Sequence, residues 1–206
     1  MLPNPRPFFE SLPDPRRATP NRLHRLSDIL GIALCAVLSG MDDWETVAEF
    51  GRAKEDWLRQ FLPLTNGIPS RDTFGRVFSL INPDAFEAAF FDWAAHARIG
   101  GDTLDQLALD GNTSHAADPE RIGRYIRHHW RVENSLHWVL DVAFNEDQSR
   151  AGVGHAAENL AIVRRFALNL LRQAKGSKLG VKNKRLRAAY DGTFRASVLK
   201  LSPLEH

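Results

Sequence analysis

The chain has 206 residues, 43% hydrophobic and 25% charged, enough apolar content for one ordinary core or two small ones and too much for a disordered segment. One cysteine, Cys35, excludes an internal disulfide framework and fits a reducing compartment, where a buried thiol reads as plain core. The formal net charge of +2 hides an asymmetry: residues 1–119 carry 11 Lys/Arg against 17 Asp/Glu, and residues 120–206 carry 16 against 8. A basic C-terminal half points to a polyanion partner, with two mutually neutralising solvated faces as the plain alternative.

Residues 1–21 hold Pro3, Pro5, Pro7, Pro13, Pro15 and Pro20, which predicts an extended arm that wraps rather than folds. The run Ile29–Leu38 is too short to span a bilayer and follows a proline-rich, acid-containing leader unlike a secretory one, so it reads as a buried helix of a soluble, cytoplasmic protein. Asn21 or Ser27 is its candidate cap, and Gly40 closes it. Asp42 or Asp43 opens a second helix through Phe50, and Trp57, Leu58, Phe61 and Leu62 predict a third, stopped by Pro63. Ser70 caps Arg71–Leu80, with Phe74, Val77, Phe78 and Ile81 inward. Asn82-Pro83 is a strong start signal for a helix to His96 that buries Phe86, Phe90, Phe91 and Trp93. Residues 22–98 thus read as a helical bundle. The helix Pro69–Phe78 is a candidate DNA-reading element, but its aromatic spacing is more often that of plain core.

Gly100-Gly101 breaks the pattern, and Leu104–Asp110 alternates like a strand that ends on a carboxylate before Gly111. The stretch 124–141 follows, with Arg127, His128, His129, Trp130, Arg131, Glu133, His137 and Asp141. On a helix, His129, Glu133 and His137 share one face. A zinc site from these histidines is disfavoured, because i, i+4, i+8 spacing spreads the outer pair over about 12 Å, too far for one metal. A strand-end aspartate with a helical glutamate suits divalent metals and phosphodiester attack, although an Asp-Gly pair by itself is usually a turn. A long amphipathic helix from His155 to about Ala174 leads into a basic stretch with Lys175, Lys178, Lys182, Lys184, Arg185 and Arg187.

The segments 9–17 (FESLPDPRR), 28–38 (DILGIALCAVL), 44–52 (WETVAEFGR) and 66–74 (NGIPSRDTF) resemble the associated N-terminal domain of H-repeat-type bacterial insertion-sequence transposases. Residues 107–113 (LALDGNT) are similar to the motif with that family's first catalytic aspartate, and 126–142 (IRHHWRVENSLHWVLDV) to the block with its catalytic glutamate. Phe144-Asn-Glu-Asp147 and Ala157-Glu-Asn-Leu160 continue that block. The resemblance implies a DDE transposase: a ribonuclease-H-like domain, Mg²⁺, and strand cleavage and transfer at element ends. Asp110 would be the first catalytic and metal-binding carboxylate and Glu133 the third. DNA would be the partner, met by Arg127, Arg131, Lys178, Lys182, Lys184, Arg185 and Arg187, in a homo-oligomer or in a mixed oligomer with a full-length transposase. Where the family has a lysine after Asp-Gly, this chain has Asn112.

Only residues 111–132 separate Asp110 from Glu133, and several strands of about 5–6 residues each cannot fit there. Asp118, the aspartate in that interval, reads as a cap before Pro119. The expectation is therefore a mainly α chain in three parts: the arm 1–21, the helical N-terminal domain 22–98, and a truncated DDE domain 103–206. That last part would be an incomplete ribonuclease-H-like remnant of one short strand and C-terminal helices. A lone strand cannot satisfy its own edges, so the metal carboxylates would lack a frame and the transposase would be inactive. The alternatives are a non-catalytic DNA-binding or dominant-negative remnant, and a phosphodiesterase built from Asp110, Glu133 and Asp141.

Overall fold

The computed structural model describes residues 6–20, 22–96, 144, 153–174, 178–201 and 203–204, and the secondary structure among these described residues is helical. The expected strand at Leu104–Asp110 and the Glu133 helix lie outside them.

The architecture is organised around α2, Leu26–Leu38, in which every residue but Gly31 is buried. A helix that is apolar all round belongs in the middle of a core, since no face prefers water. Ile29, Ile32, Val37 and Leu38 are fully enclosed, and burying each such side chain contributes roughly 1.5–3 kcal/mol. Ser27 does not cap α2: it sits inside the helix and is buried, and the N-cap residue is Arg25, which makes no side-chain capping bond. Gly40 closes the helix as expected, at φ 100°, a conformation that costs a residue without Cβ nothing.

The next helices follow their start signals. Asp43 accepts the Thr46 N–H at 2.9 Å and opens α3, Trp44–Ala53. A short α4, Glu55–Leu58, stops earlier than the Trp57–Leu62 pattern suggests, and Phe61 and Leu62 enter the core from turns instead. Ser70 accepts the Thr73 N–H at 3.3 Å and opens α5, Arg71–Leu80. Asn82 accepts the Ala85 N–H at 2.9 Å at the start of α6, Pro83–His96. Each cap satisfies an N–H that the first turn would leave unpaired.

The proline-rich arm is not wholly extended. Arg6–Glu10 forms α1, with Phe9 and Leu12 buried, and α1 packs on α2 and α6. Pro7 lies in the first turn, where its missing N–H costs no hydrogen bond.

The C-terminal half supplies α7 (Ala156–Gln173), α8 (Val181–Tyr190) and α9 (Gly192–Leu199). α7 lies against α2, α5 and α6, while α8 and α9 pack on each other and on both α2 and α7. A chain of rings joins the two ends of the sequence. Phe9 meets Phe90 at 5.2 Å, Phe86 meets Phe90 at 4.9 Å, and Phe90 stacks on Phe166 at 4.2 Å. One cluster of buried side chains therefore runs from Phe9 to Leu199, across the boundary that the sequence suggests between two separate parts.

The entry into α7 is fitted to the end of α5. Gly154 has φ +54°, and a Cβ there would lie 2.6 Å from the Ser79 carbonyl oxygen, which also accepts the His155 N–H at 3.2 Å. One turn later the buried Asn159 donates to Phe78 O at 2.8 Å and Ile81 O at 2.9 Å, satisfying carbonyls at the C-terminal end of α5. Among the described residues, no helix is long and apolar enough to cross a membrane.

Candidate functional site

Asp110 and Glu133, the carboxylates expected to hold metal, lie outside the described residues, as do Arg127, Arg131, Asp118, Asp141 and the histidines 128, 129 and 137. Among the described residues, no group of three or more His, Cys, Asp or Glu side chains could hold a metal ion. The part of the candidate site that the structure does describe is the basic C-terminal segment.

That segment has two faces. Residues 159–190 contain nine Lys/Arg and no Asp or Glu, a run that looks uniformly solvated on paper. In the fold, Lys184 and Arg185 turn inward. Lys184 Nζ donates to Leu171 O at 2.9 Å and Ala174 O at 3.2 Å, placing an ammonium on the C-terminal carbonyls of α7, where the helix dipole favours a cation. Arg185 donates to Val37 O through Nε and Nη2 at 3.2 and 2.8 Å and pairs with Asp42 Oδ1 at 2.7 Å. Its guanidinium also lies 3.9 Å from the centre of the Phe144 ring. Neither side chain, both expected from the sequence to meet DNA, faces solvent in this fold; their bonds seat α8 on the bundle. The physical reason is the helical period: 184, 185 and 188 share one face of α8, and all three are buried.

The remaining cations face outward. Lys178 and Lys182 are exposed, and Arg172 is exposed at the end of α7. Arg187 is partly exposed, bonds Asp191 Oδ2 at 3.1 Å, and lies 4.4 Å from the Phe194 ring. Asp191 is itself held below its ordinary pKa, first by the Phe194 N–H that it accepts as the cap of α9 and then by Arg187.

Sequence reasoning missed a seam of buried charge beneath this surface. Arg164 donates to Asp42 O at 3.1 Å, and Arg195 donates to Ala188 O with its guanidinium 3.8 Å from the Trp57 ring. Burial pushes the Asp42 carboxyl above its ordinary pKa, against the opposing pull of Arg185 and Arg164, and burial likewise lowers Arg185 and Arg195. The signal was present at Asp42-Asp43: one carboxylate caps α3, which leaves its neighbour free to take a distant cation. Nothing in the local pattern around Asn159 announces the two carbonyls it reaches at the end of α5, Phe78 O and Ile81 O.

Comparison with known proteins gives two family matches. Residues 7–94 match a family described as DDE_Tnp_1-associated, and residues 59–170 match the transposase DDE domain. An uncharacterized protein from the dhlA 3′ region of Xanthobacter autotrophicus is 75% identical over 138 residues, covering 66% of this chain and 47% of that protein. YhhI of Escherichia coli K12, an H repeat-associated transposase by its name, is 41% identical over 99 residues, 48% of this chain and 26% of its own length. The chain thus spans less than half the length of these two relatives. YncI of Escherichia coli O157:H7, also a transposase by name, aligns over 364 positions at 22% identity, taking in 93% of each chain. No solved structure matches.

Proposed function

The chain belongs to the transposase DDE-domain family, and we propose that it is an insertion-sequence transposase by descent that still binds DNA and has lost strand cleavage and transfer. In this reading residues 103–206 are the remnant of a ribonuclease-H-like domain, with Leu104–Asp110 as its first strand. Asp110 is the first metal carboxylate and Glu133 the third. Both are hard oxygen donors, which fits Mg²⁺; when bound, that ion would neutralise charge on a phosphodiester and polarise it. The second aspartate and the strands that would carry it have no room in the 22 residues between them.

One observation carries the proposal. An alignment 364 positions long that covers 93% of a 206-residue chain leaves well over a hundred positions of the relative without a counterpart here. The short interval between Asp110 and Glu133 is where that loss would fall. A metal pair needs all its carboxylates held by a common frame, and two without the third do not make one.

The test is a binding and cleavage assay on labelled DNA that carries the flanking element ends, with Mg²⁺ or Mn²⁺. The expected result is salt-sensitive binding without cutting. Cutting that disappears in both Asp110→Asn and Glu133→Gln would overturn the loss of activity.

A further inference from the structure

We propose that the solvent face of α8 is a DNA-reading surface that enters the major groove, with Lys182, Asn183, Leu186 and Tyr190 as its contact residues. The inference rests on the DNA-binding reading above and names where that binding occurs.

Three observations converge on this face. First, Lys182, Asn183, Leu186 and Tyr190 are all exposed, and at about 100° per residue they fall within one sector of roughly 100° on the helix. The opposite sector, with Lys184, Arg185 and Ala188, is anchored in the bundle, so the orientation of α8 is fixed by buried bonds. Second, the face exposes large apolar groups. Leu186 is 64% exposed and Tyr190 71%, and Leu179, just before the helix, is 44% exposed. A monomeric protein rarely leaves such side chains together on one helix unless something is received there. Third, the stretch of chain that carries this face has one sign of charge. Arg172, Lys178 and Lys182 are exposed, residues 159–190 contain no acid, and the following Asp191 is engaged by Arg187 and the start of α9.

Duplex DNA fits this combination better than a protein or a lipid surface. A ten-residue helix is about 15 Å long and fits the major groove. The lysines supply phosphate contacts, which set affinity without sequence. Asn183 offers the amide that pairs with the adenine edge, and Leu186 offers an apolar contact for a thymine methyl group. A purely electrostatic partner would have no use for Leu186 and Tyr190, and an apolar partner would have none for the flanking cations.

The experiment measures binding of the whole chain to two labelled duplexes of equal length, one with the flanking element end and one scrambled, across a salt series. Asn183→Ala and Leu186→Ala should each raise Kd for the element end about tenfold and leave the scrambled duplex unchanged. Lys182→Ala should weaken both alike and reduce the salt slope by about one. All three side chains are exposed, so circular dichroism should report an unchanged fold. Unchanged Kd in Asn183→Ala and Leu186→Ala, with the wild type still preferring the element end, overturns the assignment of α8. Equal wild-type binding to the two duplexes overturns base reading by this face. A dimer that Leu186→Ala dissociates at constant DNA affinity also overturns it and gives the face to a second copy of the chain. Wild-type binding to neither duplex removes the DNA-binding reading itself.

Discussion

Arg185 and Asp42 stand 143 positions apart in the sequence and meet at 2.7 Å, in a pair that ties α8 to the turn before α3. Their side chains are only 6% and 20% exposed, and the pKa shifts of both groups run against the charged form because burial outweighs the attraction. Such a pair adds little net stability, but removing one member strands the other. Asp42→Ala should therefore lower unfolding free energy by roughly 3 kcal/mol. Urea denaturation should show this as a fall in the midpoint at an unchanged slope.

Two carboxylates should give opposite pH dependence. Asp42 has its pKa raised by burial, so the fold holds its proton where the unfolded chain has released it. Its contribution is present below the unfolded pKa and is lost as pH rises through the folded one. Burial alone would also raise Asp14, but hydrogen bonds from Arg16 and the charges of Arg16 and Arg22 outweigh it, and the pKa falls below the ordinary 3.8. That contribution is present above 3.8 and lost as pH drops through the lower folded value. Thermal melts across the acid range should show Asp14→Asn flattening the loss below this value and Asp42→Asn flattening the decline above it.

Asn159 joins the start of α7 to the end of α5 through two carbonyls. Asn159→Leu should leave both acceptors unpaired in a dry site and cost about 2 kcal/mol or more. Chemical denaturation of the variant measures it, and a change under 0.5 kcal/mol would show that these carbonyls find other donors.

Cys35 is fully buried in α2, and burial pushes its thiol up to about 12. Because the thiolate is the reactive form, a water-soluble disulfide reagent at neutral pH should leave the native chain unlabelled and modify it fully in denaturant. Rapid labelling of the native chain would show that α2 opens.

The helices with side-chain caps were legible residue by residue, because Asp43, Ser70 and Asn82 act within one turn of the backbone they satisfy. α1 was not, because six prolines by residue 20 argue for an extended chain, while Phe9 finds its pocket only in tertiary contact with Phe90. The expected DNA-binding residues divide for a similar reason. Charge composition marks residues 175–187 as basic but carries no direction, and only the helical phase separates the inward Lys184 and Arg185 from the outward Lys182. Asp110 and Glu133, the carboxylates expected to hold metal, lie outside the described residues.

Because α7 sits against α2, α5 and α6, the order of synthesis becomes a constraint on folding. When His96 has been added, Phe166 of α7, the ring partner of Phe90 and Phe91, does not yet exist. At about 5–20 residues per second the ribosome needs roughly 4–15 s more to reach Gln173. For that interval the nascent chain carries a wet apolar face, the kind of surface that chaperones hold and that neighbouring chains on a polysome capture.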